Sequence, residues 1–479
     1  MTKSPNILWF CTDQQRFDTI GALGNAHVST PVIDGLVKSG TAFTHAYCQS
    51  PICTPSRASF LSGLYPSSVG LTRNGNDYFP LRVPLVTKRF SDAGYRCGNI
   101  GKLHLASPFG RMEPRTDDGY EFFAYSHAPR DNWPEGHDYA SWVKSQGAVL
   151  AELTDDPAGV PVELHQTTWC ANEALRFIDS ADERPWLLTV NVYDPHPPFN
   201  PPDVYRRQFD PASMPGPHFR ESDIEAQRRL SVVDFQSEAS ELENLDIDYP
   251  VVPAAPGTPR RGDNFPRDIW TLQAAYYAMI KLIDDQLGRI LDRLGDRRNT
   301  IVLFTSDHGE SLGDHGLIEK GCRFYEGLVR VPLIFSWPGR IEASLISDAL
   351  VELMDKPATL LDLAGLQVPD YMQSRSMVPI LTGDKDPHHH RDFVRSEYFD
   401  ALDLADASMA TMYRDRSHKL VVYHGHDLGE LFDLEADPWE HQNLWDSGNH
   451  QALKLDLMKR SFDAAMYLVD RGPRRIGPF

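Results

Sequence analysis

Short apolar runs rich in β-branched and aromatic residues recur along the first two thirds of the chain, and a segment with helical periodicity separates each from the next. "NILWF" precedes a helical pattern over 31–39, and "YRCGNI" follows one that begins near 84. "PWLLTVNVY" follows 164–181, and "TIVLFTS" follows a long pattern over about 270–295. Parallel strands need a crossover, and the crossover helix must bury its apolar stripe on the sheet. The expected fold class is therefore α/β, a large, mostly parallel sheet sandwiched by helices.

Open sheets of this kind bind ligands outside the carboxyl ends of their strands. Each run here ends in polar residues: Asp13 and Gln14 after the first, Gly101, Lys102 and His104 after the second, Asp194 and His196 after the third, Asp307 and His308 after the fourth. Two carboxylates and an imidazole converging on one crevice would suit a divalent cation. Either aspartate could equally cap a helix, so the metal reading depends on the strands lying side by side.

Composition narrows the partners. With 47 basic against 67 acidic residues, the 479-residue chain carries a net charge of −20 and has no dense Lys/Arg run, which disfavours nucleic acid. No stretch approaches a membrane span, and the N-terminal apolar run is too short for a signal-peptide core, so a cytoplasmic protein is expected. The six cysteines, Cys11, Cys48, Cys53, Cys97, Cys170 and Cys322, are too few for a disulfide framework.

Two stretches break the alternation, 107–162 and 197–267, and are expected to be irregular segments controlling substrate access. Pro, Gly and "DPHHHRD" mark a composition break near 385. A catalytic domain over 1–384 and a C-terminal α+β subdomain over 385–479 are expected, the latter with antiparallel strands in "YRDRSHKLVVYH" and "ELFDL" and a helix over 449–468.

Cys53 opens "CTPSRASFLSG". Standing alone, a cysteine ahead of a helix is a core residue. The whole motif, however, resembles the signature of formylglycine-dependent (type I) sulfatases of the alkaline phosphatase superfamily, in which this cysteine is oxidised to formylglycine. "NILWFCTDQQ", "GYRCGNIGKLH", "TSDHGE", "EKG" and "GELFDLEADPWEHQNL" extend the resemblance over nearly the whole chain. It implies hydrolysis of sulfate monoesters of phenols or small alcohols, and an enzyme that installs formylglycine as a partner. One hydroxyl of the hydrated aldehyde attacks, and the other later expels the anion, so no water need attack the hindered tetrahedral centre.

The resemblance also implies roles. Arg57 would stabilise the oxyanion of the hydrate; Lys102 would bind the substrate anion and His104 contact the hydrate as a base. His196 would bind the anion or protonate the leaving oxygen, and Lys320 would face both anion and leaving group. Asp13, Asp307, His308 and residue 53 would hold the metal, with Gln14 and Asn74 lining the substrate pocket.

Most sulfatases carry two aspartates at the first strand end and Asp-Asn at the later one, whereas here the pairs are Asp13-Gln14 and Asp307-His308. Losing oxygen ligands to an imidazole favours Mn²⁺, with Ca²⁺ and Mg²⁺ as alternatives. The same variations resemble the branch of phosphonate monoester hydrolases, choline sulfatases and bacterial arylsulfatases. Phosphonate monoesters and phosphate diesters, tetrahedral monoanions like sulfate esters, are therefore the alternative substrates; a non-catalytic anion- or carbohydrate-binding protein is the alternative from another class. Tyr95, Trp133 and Tyr139 are candidates to hold the leaving group. The "HHH" at 388–390 is expected to be structural, and "RGPRRIGPF" either docks on a partner subunit or trails in solvent. A homo-oligomer, dimer or tetramer, is expected.

Overall fold

The computed structural model describes residues 4–80, 82–129, 135–156, 158–233, 242, 268–402, 408–466, 468–469 and 477. Its main sheet contains β1 (Asn6–Thr12), β2 (Gly40–Tyr47), β3 (Arg96–Gly101), β4 (Phe122–Tyr125), β5 (Trp186–Asn191), β6 (Thr300–Ser306), β7 (Arg330–Ser336), β8 (Leu345–Ser347) and β9 (Val351–Glu352). The order is β4-β3-β5-β1-β6-β7-β2-β8, with β9 also paired to β2. Only β7 runs against its neighbours. Strands β3, β5, β1 and β6 are therefore adjacent and parallel, and their carboxyl ends share one edge.

Alternation along β1 sends Ile7, Trp9 and Cys11 into one apolar cluster and Leu8 and Phe10 into another on the opposite face. Burial on both faces is why these strands read as continuous apolar runs. The expected helices form as Pro31–Lys38, Val86–Asp92, Gln166–Asp179 and Ile269–Leu294.

The segment 107–162 is not the irregular excursion expected. It supplies β4, which pairs with β3 at the sheet edge, and the helices Asp138–Ser145 and Leu150–Asp155. Four residues of strand are too short to stand out in the sequence. Of 197–267, the helices Asp203–Arg206 and Glu221–Leu230 are seen, while 234–241 and 243–267 lie outside the described residues.

Beyond residue 385 follow β10 (Val394–Phe399), β11 (Met409–Arg414), β12 (His418–Tyr423) and β13 (Leu428–Asp433), an antiparallel sheet in chain order, and a helix over Gln451–Met466. Val394, Tyr398, Met412 and Val421 join the same cluster as Trp9, Phe43 and Phe335, so the small sheet shares the core of the large one. Most of "RGPRRIGPF" lies outside the described residues. Among the described residues no helix is long and apolar enough to cross a membrane.

Candidate active site

Asp13 leaves β1, Lys102 and His104 leave β3, His196 follows β5, and Asp307 and His308 leave β6. Turning away from the sheet edge takes unusual backbone: Gln14 and His104 are left-handed, with φ of 70° and 56°. Gly101 has φ 85°, and a Cβ there would collide with the Asn191 carbonyl, so only glycine lets β3 and β5 approach where Lys102 departs.

Across this edge lies the helix Cys53–Ser62, all ten residues of it buried. Pro55 sits in its first turn, where a missing N–H costs nothing, and Gly63 ends it in the left-handed conformation. Asn74 Oδ1 accepts from Thr54 N at 3.0 Å, and Ser56 Oγ donates to the Asp307 carbonyl at 2.6 Å. The first residue of the helix, Cys53, thus has its side chain at the positive end of the helix dipole.

The ligand atoms of Asp13, Cys53, Asp307 and His308 lie within 4.8 Å of one another. Asp307 is held from both sides. Its Oδ1 accepts from Gln14 N and His308 N, each at 3.0 Å, and its Oδ2 accepts from Arg57 Nε at 2.9 Å. His308 Nδ1 lies 2.9 Å from the Gly309 carbonyl; a carbonyl only accepts, so Nδ1 carries the proton and Nε2 faces Cys53 Sγ at 3.1 Å. Carboxylates and an imidazole fixed in this way fit a divalent cation, residue 53 completing the group.

Cations and imidazoles surround Cys53. Lys320 Nζ lies 3.1 Å from Sγ, 2.7 Å from Gln14 Oε1 and 3.3 Å from His308 Nε2. Lys102 pairs with Asp13 Oδ2, and its Nζ is 5.3 Å from the centre of the Tyr193 ring. His104 and His196 stand close enough to Cys53 for their charges and its own to influence one another. Arg57 donates from Nη1 to the Lys102 carbonyl at 2.9 Å, while its buried Nη2 lies 3.7 Å from Asp13 Oδ2 and has no hydrogen-bond partner among the described residues.

Burial alone would push the Cys53 thiol up, but Lys102, Lys320 and His308 carry it well below the ordinary thiol range. Burial and Cys53 oppose ionisation of Asp13, yet Lys102, His196 and Arg57 hold it below the usual carboxylate range. Burial, with Lys320 second, depresses His196 to about 3. Burial works against charge on Lys320, but Cys53, Asp13 and Asp307 raise it. The pocket favours negative charge on residue 53 and on any anion held beside it.

Some expected binders take other roles. Tyr95 stands at the amino end of β3, opposite the edge that carries the site, and packs edge-on to Phe90 with ring centres 4.9 Å apart; it cannot line the pocket. Tyr139 is a core residue whose hydroxyl donates to the Leu164 carbonyl, and Trp133 lies outside the described residues. Gln14 is in the site, but its amide is engaged by Lys320 and Glu310 and so positions these groups. The Asn74 carbonyl oxygen likewise caps the Cys53 helix. His388, His389 and His390 lie beside three different carboxylates, Asp348, Asp392 and Asp355, and do not converge on one point.

Other contributors had no local signal. Glu113, in the middle of 107–162, accepts from His104 N and Leu105 N at 2.6 Å and from Ala106 N at 3.0 Å, fixing the loop that bears His104. Glu310 accepts from Leu312 N and Glu319 N beside Lys320. His127 packs on His104, ring centres 4.7 Å apart. Lys356 is wholly buried, its Nζ 3.6 Å from the Phe60 ring centre and without a hydrogen-bond partner among the described residues.

A parallel sheet edge that gathers a buried cysteine at a helix N-terminus, two lysines and two carboxylates beside an imidazole suits an ester hydrolase of the alkaline-phosphatase-like architecture. The sulfatase family model matches residues 5–366, and the model for the C-terminal region of N-sulphoglucosamine sulphohydrolase matches 313–465. The chain belongs to the sulfatase family. It is 29% identical over 478 residues to an arylsulfatase of Clostridium perfringens, covering 95% of this chain and 93% of that protein. It is 30% identical over 462 residues to a choline-sulfatase of Rhizobium meliloti, covering 92% and 83%. The structure superposes on the phosphonate monoester hydrolase of Agrobacterium radiobacter with a TM-score of 0.79, at 27% identity and covering 98% and 96%.

Proposed function

We propose that this sulfuric ester hydrolase cleaves sulfate monoesters of phenols or small alcohols, with formylglycine formed from Cys53 as nucleophile and one divalent ion, Mn²⁺ by preference, held by Asp13, Asp307 and His308. The observation that carries the reading is Cys53 at a helix N-terminus, within reach of Lys102, Lys320, His104 and His196. The hydrated aldehyde supplies two hydroxyls on one carbon, and the ion supplies Lewis acidity that favours their ionised form.

Around that centre the chain provides fixed charge. Lys102 and Lys320 are placed to draw in the substrate anion, and Lys320 to meet charge on the leaving oxygen. Arg57 offers Nη2 to an oxyanion on residue 53. His104 is kept neutral by burial and by Lys102, as a base must be. Fixed donors need no reorganisation as charge moves from sulfur to the leaving oxygen. Cys53 is only 1% exposed, so we infer that the modifying enzyme acts before the pocket closes. All six cysteines are free and buried, which suits a reducing cytoplasm.

Phosphonate monoesters are the second reading, favoured by the likeness to the phosphonate monoester hydrolase and by the shared chemistry of tetrahedral monoanions. The non-catalytic alternative gains no support from a pocket that retains Cys53, Arg57 and both lysines. The test is kcat/KM for an aryl sulfate and the matched aryl phosphonate monoester, using metal-replete protein whose residue 53 has been checked by peptide mass. A preference for sulfate is expected; a preference for phosphonate overturns the first reading in favour of the second.

A further inference from the structure

Away from the active site, three segments bring Asp223, His315 and His441 together. Asp223 lies on the helix Glu221–Leu230, His315 in the loop between His308 and Lys320, and His441 beyond β13. One potential ligand atom from each lies within 4.8 Å of the others. His441 Nδ1 is 3.0 and 3.2 Å from the two Asp223 oxygens, and His315 Nδ1 is 3.6 Å from Oδ2. The last distance is long for a hydrogen bond. It is close to the edge of a tetrahedral zinc shell, about 3.3 Å for ligands about 2.0–2.1 Å from the metal.

The donors are also fixed and screened. Asp223 is 1% and His315 3% exposed, and His441 is partly buried. Asp223 Oδ2 accepts from Arg220 N at 2.8 Å. His315, left-handed at φ 57°, stacks on Tyr325 with ring centres 3.8 Å apart. A cavity of about 50 Å³ adjoins all three residues, ample for a water ligand, which needs about 10–15 Å³. Glu430 lines the same cavity, but both of its oxygens are engaged by the hydroxyls of Tyr325 and Tyr423, so it is not counted as a ligand.

We propose that Asp223, His315 and His441 form a second metal centre, a Zn²⁺ site completed by water, which ties the helix Glu221–Leu230 and the C-terminal sheet to the loop leading to Lys320. Two imidazoles and one carboxylate suit zinc better than Ca²⁺ or Mg²⁺. The rival is a purely hydrogen-bonded Asp-His pair.

The experiment counts zinc per chain by elemental analysis after equilibration with Zn²⁺ and removal of excess, in the full chain and in its Asp223→Asn and His441→Gln variants. A loss of one zinc per chain in both variants is expected, together with loss of several degrees of zinc-dependent Tm gain. Unchanged zinc content overturns the assignment. Asp223→Asn keeps the side chain's shape and its bond from Arg220 N. A readout free of variants is Co²⁺ titration of the metal-stripped native chain: saturation at two per chain is expected, and at one overturns the proposal.

Discussion

Replacing Lys320 by alanine removes the ammonium that lies 3.1 Å from Sγ of Cys53, the proposed nucleophile. At that distance, with an effective dielectric near 20, a unit charge pair is worth about 5 kcal/mol. Only the part of this that grows between ground and transition state speeds the reaction. Taking about half gives about 3 kcal/mol, or a loss of about 10²-fold in kcat, in line with the 10²–10³ that removal of one preorganised donor costs elsewhere. Folding should survive, since the substitution relieves the burial of a charge while leaving Gln14 Oε1 without its partner. The assay is kcat/KM over a series of aryl sulfates whose phenols span several pKa units. If Lys320 meets charge on the leaving oxygen, the loss grows as the phenol becomes more basic. A folded, metal-loaded Lys320→Ala protein within fivefold of the native chain would refute the reasoning, and a loss independent of the leaving group would move Lys320 to the non-bridging oxygens.

Three more predictions concern the same region. Cys53→Ala should abolish aryl sulfate turnover while preserving the circular dichroism of the native chain; more than a small residual rate would remove residue 53 from the nucleophile role. His308→Asn exchanges an imidazole for an oxygen donor and should shift metal preference from Mn²⁺ toward Ca²⁺, and unchanged relative metal content by elemental analysis would show that His308 is not a ligand. Burial, only partly offset by Cys11 and Asp307, depresses Lys356 to about 7 from an ordinary 10.5. The folded chain then binds fewer protons than the unfolded chain between those values, so stability rises with pH across that window. At about 1.4 kcal/mol per unit, less the lost attraction to Phe60, Lys356→Met should stabilise by about 3 kcal/mol at pH 7 and below. The gain should shrink toward zero by about pH 10.5 in denaturant titrations; a gain that does not vary with pH would contradict a depressed lysine.

Much of the site could be read from the chain because a parallel α/β sheet turns local information into spatial information. Strands that each require a crossover must send their carboxyl ends to one edge, so Asp13, Lys102, His104, His196, Asp307 and His308 could be grouped before any pairing was known. The Cys53 motif is likewise local: a proline that starts a helix, a serine and an arginine one turn on, and a glycine that stops it. What depended on strand order, or on contacts between distant segments, was not legible. Tyr95 precedes its strand and so falls at the wrong end of the sheet. The Gln14 side chain is claimed by Lys320 and Glu310, partners that no spacing reveals.

Glu113, Lys356 and the meeting of Asp223, His315 and His441 belong to the same group. Helical and strand periodicity, capping and turn chemistry act over a few residues, and the sequence by itself determined the elements and the polar residues that end them. Which buried carboxylate holds which loop depends on the packing of the whole chain, because a charged group enters the interior only where tertiary contacts bring its partners to it.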